Sequence, residues 1–276
     1  MKKYLLDDFN LDKYINFSDE ISLWSAPFGI KLLETIDYRE NISALDIGSG
    51  SGFPLIELAM RLGEGSIIYG IDPWKAAIKR TREKISYYRI SNIRLIEGVA
   101  ESIPLEDDSI DLIVSNNGIN NVDNIDQVLN ECSRIMKKEG QFVLTMNLTK
   151  TMIEFYSQLE QVLNEMNLRK EIELMHHHIN EKRRSLEEVT SLLRKYGFDL
   201  RKLVQDQFFY KFTNGTAMLN HQFIRLAFLK SWKTFLPDNK LEGIFDEIET
   251  RMNEASRKAE GVTLTIPFAV IDAIKT

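Results

Sequence analysis

Three glycines at alternate positions, Gly48, Gly50 and Gly52, follow the apolar run Ala44-Leu45-Asp46-Ile47 and precede a helical pattern. Glycines so placed leave no Cβ in the way and permit positive φ, so a ligand can lie directly on exposed N–H groups at a helix N-terminus. That arrangement suits an anion such as a phosphate or a carboxylate. A dinucleotide fingerprint puts its glycines at the first, third and sixth positions. Counted from Gly48 the sixth position is Phe53, and the third glycine is Gly52 instead.

Asp72 stands 24 residues beyond Gly48, directly before Pro73 and Trp74. An acid at the end of a second strand is placed to accept both hydroxyls of a ribose. The alternative, ahead of a proline, is an N-cap, and the two roles are compatible. Trp74 either flanks an adenine or packs a first helical turn. Ala100 offers a backbone N–H and Glu101 a carboxylate to a purine edge, the alternative for Glu101 being a solvated loop acid. The run Asn116-Asn117-Gly118-Ile119-Asn120-Asn121 concentrates neutral amides where a strand ends. Turn chemistry explains part of this, since Asn tolerates the left-handed region. Asn116 is the cofactor-side candidate, and Asn117 and Asn120 are substrate candidates.

His176, His177 and His178 are adjacent, and adjacent side chains cannot converge on one ion along a regular helix or strand. A polar loop or strand is expected there, with a pocket base as the sharper alternative, and no metal site. His221 is the candidate catalytic base, because a neutral imidazole accepts a proton near neutral pH.

The elements that must hold these residues alternate between two periodicities. Strands are expected at Ile42–Ile47, Ser66–Ile71, Ile93–Ile96, Ile110–Ser115 and Gln141–Met146, with a helix at Pro54–Leu62 capped by Gly63. A further helix runs from Asp123 to Lys137, with Ile125, Val128, Leu129, Cys132, Ile135 and Met136 on one face. Cys132 in that stripe reads as a small core residue. Before the glycines, residues 18–37 have helical spacing through Ile21, Trp24, Phe28, Leu32 and Ile36, with a break or kink expected at Ser25-Ala26-Pro27. Trp24 either roofs a pocket with Phe28 or simply covers the core. Residues 149–168 look helical, and Ser185-Leu186-Glu187-Glu188 is a capping box opening a helix that ends at Gly197. A sixth strand falls within Leu200–Phe212, a last one at Val262–Ile274, and residues 213–260 form a long helical insertion. Its Tyr210 flank, His221 and Trp232 suit either a small organic substrate pocket or an apolar packing face.

With 276 residues, 43% of them hydrophobic, the chain can bury a sizeable core. A net charge of −6 supplies no basic field for nucleic acid or an anionic membrane. No apolar run approaches the ~18 residues of a membrane span, and no signal-peptide core forms, so a cytoplasmic protein is expected. The single cysteine excludes an internal disulfide.

Taken together, Asp46 to Gly52, Asp72, the Ala100-Glu101 loop, Asp108 to Val114 and Arg134 to Gln141 resemble, in order and spacing, the core of the class I S-adenosylmethionine-dependent methyltransferases. The likeness is greatest to the small-molecule branch that includes the quinone-biosynthesis C-methyltransferases, and it covers residues 40–147. Glu139 departs from the pattern, where the family commonly has proline or glycine. The resemblance implies an α/β doubly wound fold with a seven-stranded, mostly parallel Rossmann-like sheet, an antiparallel last strand and helical lid insertions. Residues 1–40 would be an N-terminal helical cover, 41–147 the S-adenosylmethionine-binding core, and 148–276 the rest of the sheet, with 213–260 as a substrate lid. It implies S-adenosylmethionine as cofactor, held by Asp46, Gly48, Ser49, Gly50, Gly52, Asp72, Pro73, Trp74, Ala100, Glu101 and Asn116. Asp46 would orient the cofactor's amino group. Trp24, Asn117, Asn120, Tyr210 and Trp232 would then meet a small aromatic or apolar substrate. A homodimer is open. The rival readings are a non-catalytic S-adenosylmethionine-binding module and a nicotinamide oxidoreductase, the latter opposed by Phe53.

Overall fold

The structure, a computed structural model, describes residues 23–259 and 261–276. Residues 18–22 of the expected N-terminal helix lie outside them. From Ser25 the chain alternates helix and strand: α1 (Ser25–Thr35), β1 (Ser43–Ile47), α2 (Leu55–Leu62), β2 (Ile67–Asp72), α3 (Lys75–Tyr88), β3 (Ile93–Glu97), β4 (Ile110–Asn116), α4 (Ile125–Ile135) and β5 (Met136–Asn147). Such alternation demands a parallel sheet with helices on its faces. The central strands accordingly read as buried apolar runs rather than alternating ones, as in Leu112-Ile113-Val114 and Phe142-Val143-Leu144.

After β5 come α5 (Ile153–Glu165), α6 (Arg169–Lys182), α7 (Leu186–Lys195), β6 (Phe198–Phe212), α8 (Gly215–Asn220), α9 (Leu241–Ala259) and β7 (Val262–Lys275). The strand order is β3-β2-β1-β4-β5-β7-β6 in one seven-stranded sheet. β1 to β5 pair in parallel. β7 runs the other way: the Leu148 N–H donates to Pro267 O and the Met152 N–H to Thr265 O, so partners advance in opposite directions. The doubly wound sheet with an antiparallel last strand is therefore present.

Two details differ from expectation. Pro27 does not break a longer helix within the described residues; it occupies the first turn of α1, where its missing N–H costs no hydrogen bond. β5 begins at Met136 rather than Gln141, because it bulges: Ile110 pairs with Met136 but Leu112 with Gln141. The excess residues are absorbed at Lys137 to Gly140, where Glu139 has φ +61°.

The chain divides into two compact units. The first extends to Thr145 and takes in Leu192–Leu203 and Val270–Thr276; the second is Met146–Ser191 with Val204–Ala269. In the first, α4 lays Ile125, Val128, Leu129, Cys132 and Ile135 into the core, and Asn124 caps it by accepting the Gln127 N–H at 3.1 Å. In the second, Phe155 of α5 stacks on Trp232 with centroids 3.8 Å apart, and Ile244, Ile248 and Met252 line the buried face of α9. Among the described residues no helix is long and apolar enough to cross a membrane.

Candidate functional site in the first unit

The C-terminal ends of β1, β2, β3 and β4 carry the residues singled out in the sequence, where open α/β sheets place their ligands. Register sets them side by side: Asp46 pairs with Gly70 and Val114, and Asp72 with Glu97. The turn after β1 has positive φ at Gly48, Gly50 and Gly52 (75°, 51° and 106°). Gly48 is further fixed by space, since a Cβ there would stand 2.6 Å from Gly118 Cα. The amide loop after β4 is thereby pressed against the glycine turn.

Asp72 ties this turn together. Its Oδ2 accepts the Gly50 N–H at 2.9 Å and its Oδ1 the Trp74 N–H at 2.8 Å. Asp72 is thus not the N-cap of α3, which is Trp74 with no side-chain cap; it closes a local turn just ahead of that helix, and each oxygen retains lone pairs for a further donor. Trp74 itself is 66% exposed. From α3, Thr81 Oγ1 donates to Gly50 O at 2.9 Å and Lys84 Nζ to Ser51 O at 3.1 Å. Neither residue was legible as a site residue, because a lysine on a buried helix face carries no periodic signal.

Asp46 is the anomaly. It is fully buried, and among the described residues neither carboxylate oxygen has a hydrogen-bond partner. Burial first, and then the charge of Asp72, push its carboxyl up to about 8. The Leu55 N–H lies close enough to ease this without closing a hydrogen bond. The buried Ser49 hydroxyl also lacks a partner. A buried polar group without a partner costs roughly 1–3 kcal/mol, and a charge more. Such groups under a glycine turn fit a ligand that brings its own donors, and above all an ammonium. The residues present thus fit the amino-acid part of S-adenosylmethionine.

The remaining residues divide by what they already hold. Glu101 turns its carboxylate on the chain, accepting the Asp123 and Asn124 N–H groups at 2.9 and 3.2 Å ahead of α4. This helix-end role is neither of the two weighed from sequence. Ala100 is buried beside it. Asn116 donates to Ser25 O at 3.1 Å and accepts from Thr145 Oγ1 at 2.9 Å. Asn117, at φ +61°, donates its N–H to Thr145 and accepts from Asn120 Nδ2 at 2.9 Å, while its own Nδ2 is buried without a partner. Trp24 stands at the N-terminus of α1 with its ring 5.7 Å from Phe28. Ser115 was missed: its buried hydroxyl donates to Ile47 O and accepts the Ile119 N–H, locking the ends of β1 and β4 together.

Tyr210, His221 and Trp232 belong to the second unit. His221 ends α8 with its ring 5.3 Å from Phe212 and 6.1 Å from Tyr210, and its Nδ1 is buried without a partner. Burial raises the Tyr210 hydroxyl above its usual value. Trp232 is fully buried and gives its Nε1–H to Tyr156 at 3.0 Å, so it is a core residue of that unit. The three histidines are on α6 and not in a loop or strand: His176 faces Glu160 and His177 faces Glu181, both at 3.2 Å. The polar composition hid this helix, which buries only Met175.

The methyltransferase-domain family pattern matches residues 39–207. Demethylmenaquinone methyltransferase of Bacillus mycoides (strain KBAB4) is 29% identical over 123 residues, covering 45% of this chain and 52% of that protein. The chain spans about half the length of the curated relatives it matches. The crystal structure of the YcgJ protein from Bacillus subtilis superposes with a TM-score of 0.59 at 18% identity, covering 91% of this chain and 98% of that one. Geranyl diphosphate C-methyltransferase from Streptomyces coelicolor A3(2), in complex with Mg2+, geranyl diphosphate and S-adenosyl-L-homocysteine, gives 0.56 at 13% identity, over 91% and 79%. At these identities the two structures establish the fold alone. The family pattern covers well over half of the sequence and spans the glycine turn, Asp72 and the amide loop, and on that ground the chain belongs to the methyltransferase-domain family.

Proposed function

We propose that this chain is an S-adenosylmethionine-dependent methyltransferase acting on a small metabolite with an aromatic or apolar body. The observation that carries the reading is the buried, unpartnered Asp46 carboxylate beneath the Gly48–Gly52 turn, with Asp72 at the end of the next strand. S-adenosylmethionine, when bound, supplies a methyl group on a sulfonium that an acceptor atom can displace in line. The protein's own part is positioning and exclusion of water.

Asp46 would accept the amino group, and its ionisation would be restored by that positive charge. The Gly50 and Gly52 backbone would lie along the methionine part, and Asp72 would accept the ribose hydroxyls on lone pairs not used by Gly50 and Trp74. Ala100 and Trp74 would border the purine. Asn117 Nδ2 is a donor held ready for an acceptor oxygen on the substrate side.

Isothermal titration with S-adenosylmethionine, together with mass spectrometry of a panel of quinols, phenols and amines, tests this. Saturable binding by the wild type and a mass gain of one methyl on a panel member are expected. Absence of cofactor binding would sink the reading. Binding with no methylation across the panel would favour the non-catalytic module.

A further inference from the structure

The second unit buries a cation that the methyl-transfer reading does not use. Arg183 follows the last turn of α6 and is only 4% exposed. Its guanidinium carbon stands 5.1 Å from the centre of the Tyr156 ring, and Nη2 donates to the Tyr156 hydroxyl at 3.4 Å. Nε and Nη1 are buried with no acceptor among the described residues. No carboxylate pairs with Arg183 among the described residues. A ring face and one long bond to a neutral hydroxyl do not offset the desolvation of a guanidinium, which ordinarily finds an anion when buried.

The Tyr156 hydroxyl makes the same demand. Arginine and the indole nitrogen are donors only, so this oxygen must accept both the Arg183 contact and the Trp232 Nε1–H, the latter at 3.0 Å. Its own hydrogen is left to donate, and no described residue takes it. Tyr156 is buried, and Phe155 and Trp232 hold its ring edge-on. The same neighbourhood therefore contains a guanidinium and a phenol with unspent donors and no acceptor. His178 adds no competing charge: burial and then the charge of Arg183 hold its ring below the usual histidine value, and its Nε2 lies 3.3 Å from Ser231 Oγ.

We propose that Arg183 and Tyr156 form an anion-binding site within the second unit that takes a carboxylate or phosphate group of a small ligand. A planar guanidinium suits the oxygens of either anion, and the phenol adds a neutral donor that sharpens the angle of approach. A ligand without such a group would leave both donors unpaired.

Benzoate and inorganic phosphate are the probes, titrated by calorimetry and thermal shift into the full chain and into Arg183→Met, Arg183→Lys and Tyr156→Phe. The wild type should bind one probe at a single site and melt higher in its presence, the better probe telling carboxylate from phosphate. Arg183→Met should weaken that binding by about tenfold or more, consistent with loss of a charge-assisted hydrogen bond. Tyr156→Phe should weaken it several-fold, and Arg183→Lys should bind more weakly than wild type but better than Arg183→Met. Without probe, Arg183→Met should melt no lower than wild type, since it removes an unpaired buried charge. The proposal is overturned if the wild type binds neither probe or if Arg183→Met and Tyr156→Phe both bind like wild type. A large loss of stability in Arg183→Met without probe would overturn it too, because Arg183 would then already have its counter-charge. S-adenosylmethionine titrated in parallel keeps the two readings separable: a chain that binds benzoate but not the cofactor retains the anion site and loses the methyl-transfer reading.

Discussion

Asp72 Oδ2 accepts the Gly50 N–H at 2.9 Å, so the acid that ends the second strand also shapes the glycine turn of the first. Its other oxygen accepts the Trp74 N–H just ahead of α3. One carboxylate thus serves two backbone donors and, in the proposed complex, a ribose as well. Asp72→Ala should lower S-adenosylmethionine affinity by two or more orders of magnitude and destabilise the fold by about 1–3 kcal/mol, the cost of the donors it strands. Asp72→Asn keeps only one acceptor oxygen and should fall between. Titration calorimetry and urea unfolding read the two effects apart, and unchanged cofactor affinity in Asp72→Ala would remove the ribose role.

Asp46 predicts a pH dependence. Its folded pKa, about 8, is raised above the unfolded value of 3.8 by burial and by Asp72. The neutral acid is the form the fold prefers, so this group's contribution is fully present below the unfolded value and is lost as pH rises towards the folded one. At neutral pH the penalty is on the order of 4 kcal/mol. Without cofactor, wild-type stability should fall from about pH 5 to 8, and Asp46→Asn should be flatter and more stable at the upper end. The same substitution should weaken S-adenosylmethionine binding. Wild-type binding at pH 7 should also release a proton, seen as a binding heat that changes with the ionisation enthalpy of the buffer. Parallel pH profiles of the two proteins would contradict this account.

Arg134 illustrates a motif residue whose role is structural. It donates to Ile103 O and Leu105 O at 2.8 Å each and pairs with Glu131 and Asp107 at 2.8 and 2.7 Å. Glu131 in turn accepts the Ile103 N–H, so one arginine fastens the loop before β4 to α4. Arg134→Met should cost about 2–3 kcal/mol in urea unfolding, and Arg134→Lys should recover little, because a point charge cannot serve four acceptors held in a plane. Full recovery by lysine would show that charge alone is at work.

The sheet was legible because its strands are apolar and end in residues with strong local meaning: Asp46 before alternating glycines, Asp72 before Pro73, and the amides after Ser115. The bulge in β5 was not, since Lys137 to Gly140 reads as a turn whether or not it stays in the ladder. The second unit resisted reading for a different reason. Arg183 stands in a run of charged residues, Lys182-Arg183-Arg184, and nothing local distinguishes the buried cation from its neighbours. Likewise the aromatic content around Trp232 suited a pocket and a packing face, and its full burial, its bond to Tyr156 and the Phe155 stack decide for core. Residues that serve as hooks, such as Ser115, Thr81 and Lys84, depend on contacts distant in sequence and carry no periodic mark.

Gly118 and Gly50 separate the two reasons a glycine is needed at such a site. Gly118 lies at φ −64°, open to any residue, but a Cβ there would meet Ile47 O at 2.2 Å and Ser115 Oγ at 2.9 Å. Backbone cannot yield as a flexible side-chain tip does. Gly50 is the reverse case: φ is +51°, and the nearest atom to an added Cβ is Gly48 O at 4.0 Å. Gly50→Ala should therefore cost only the left-handed strain, about 1–2 kcal/mol, and leave the sheet intact, yet it sets a methyl on the surface proposed to carry the cofactor. Gly118→Ala should cost more, about 3 kcal/mol, by prising the amide loop from the end of β1. Urea unfolding ranks the two stabilities, and calorimetry with S-adenosylmethionine ranks the affinities. If Gly50→Ala proves the more destabilising, conformation and not close approach governs this turn, and the contact between Gly48 and Gly118 is not what holds it.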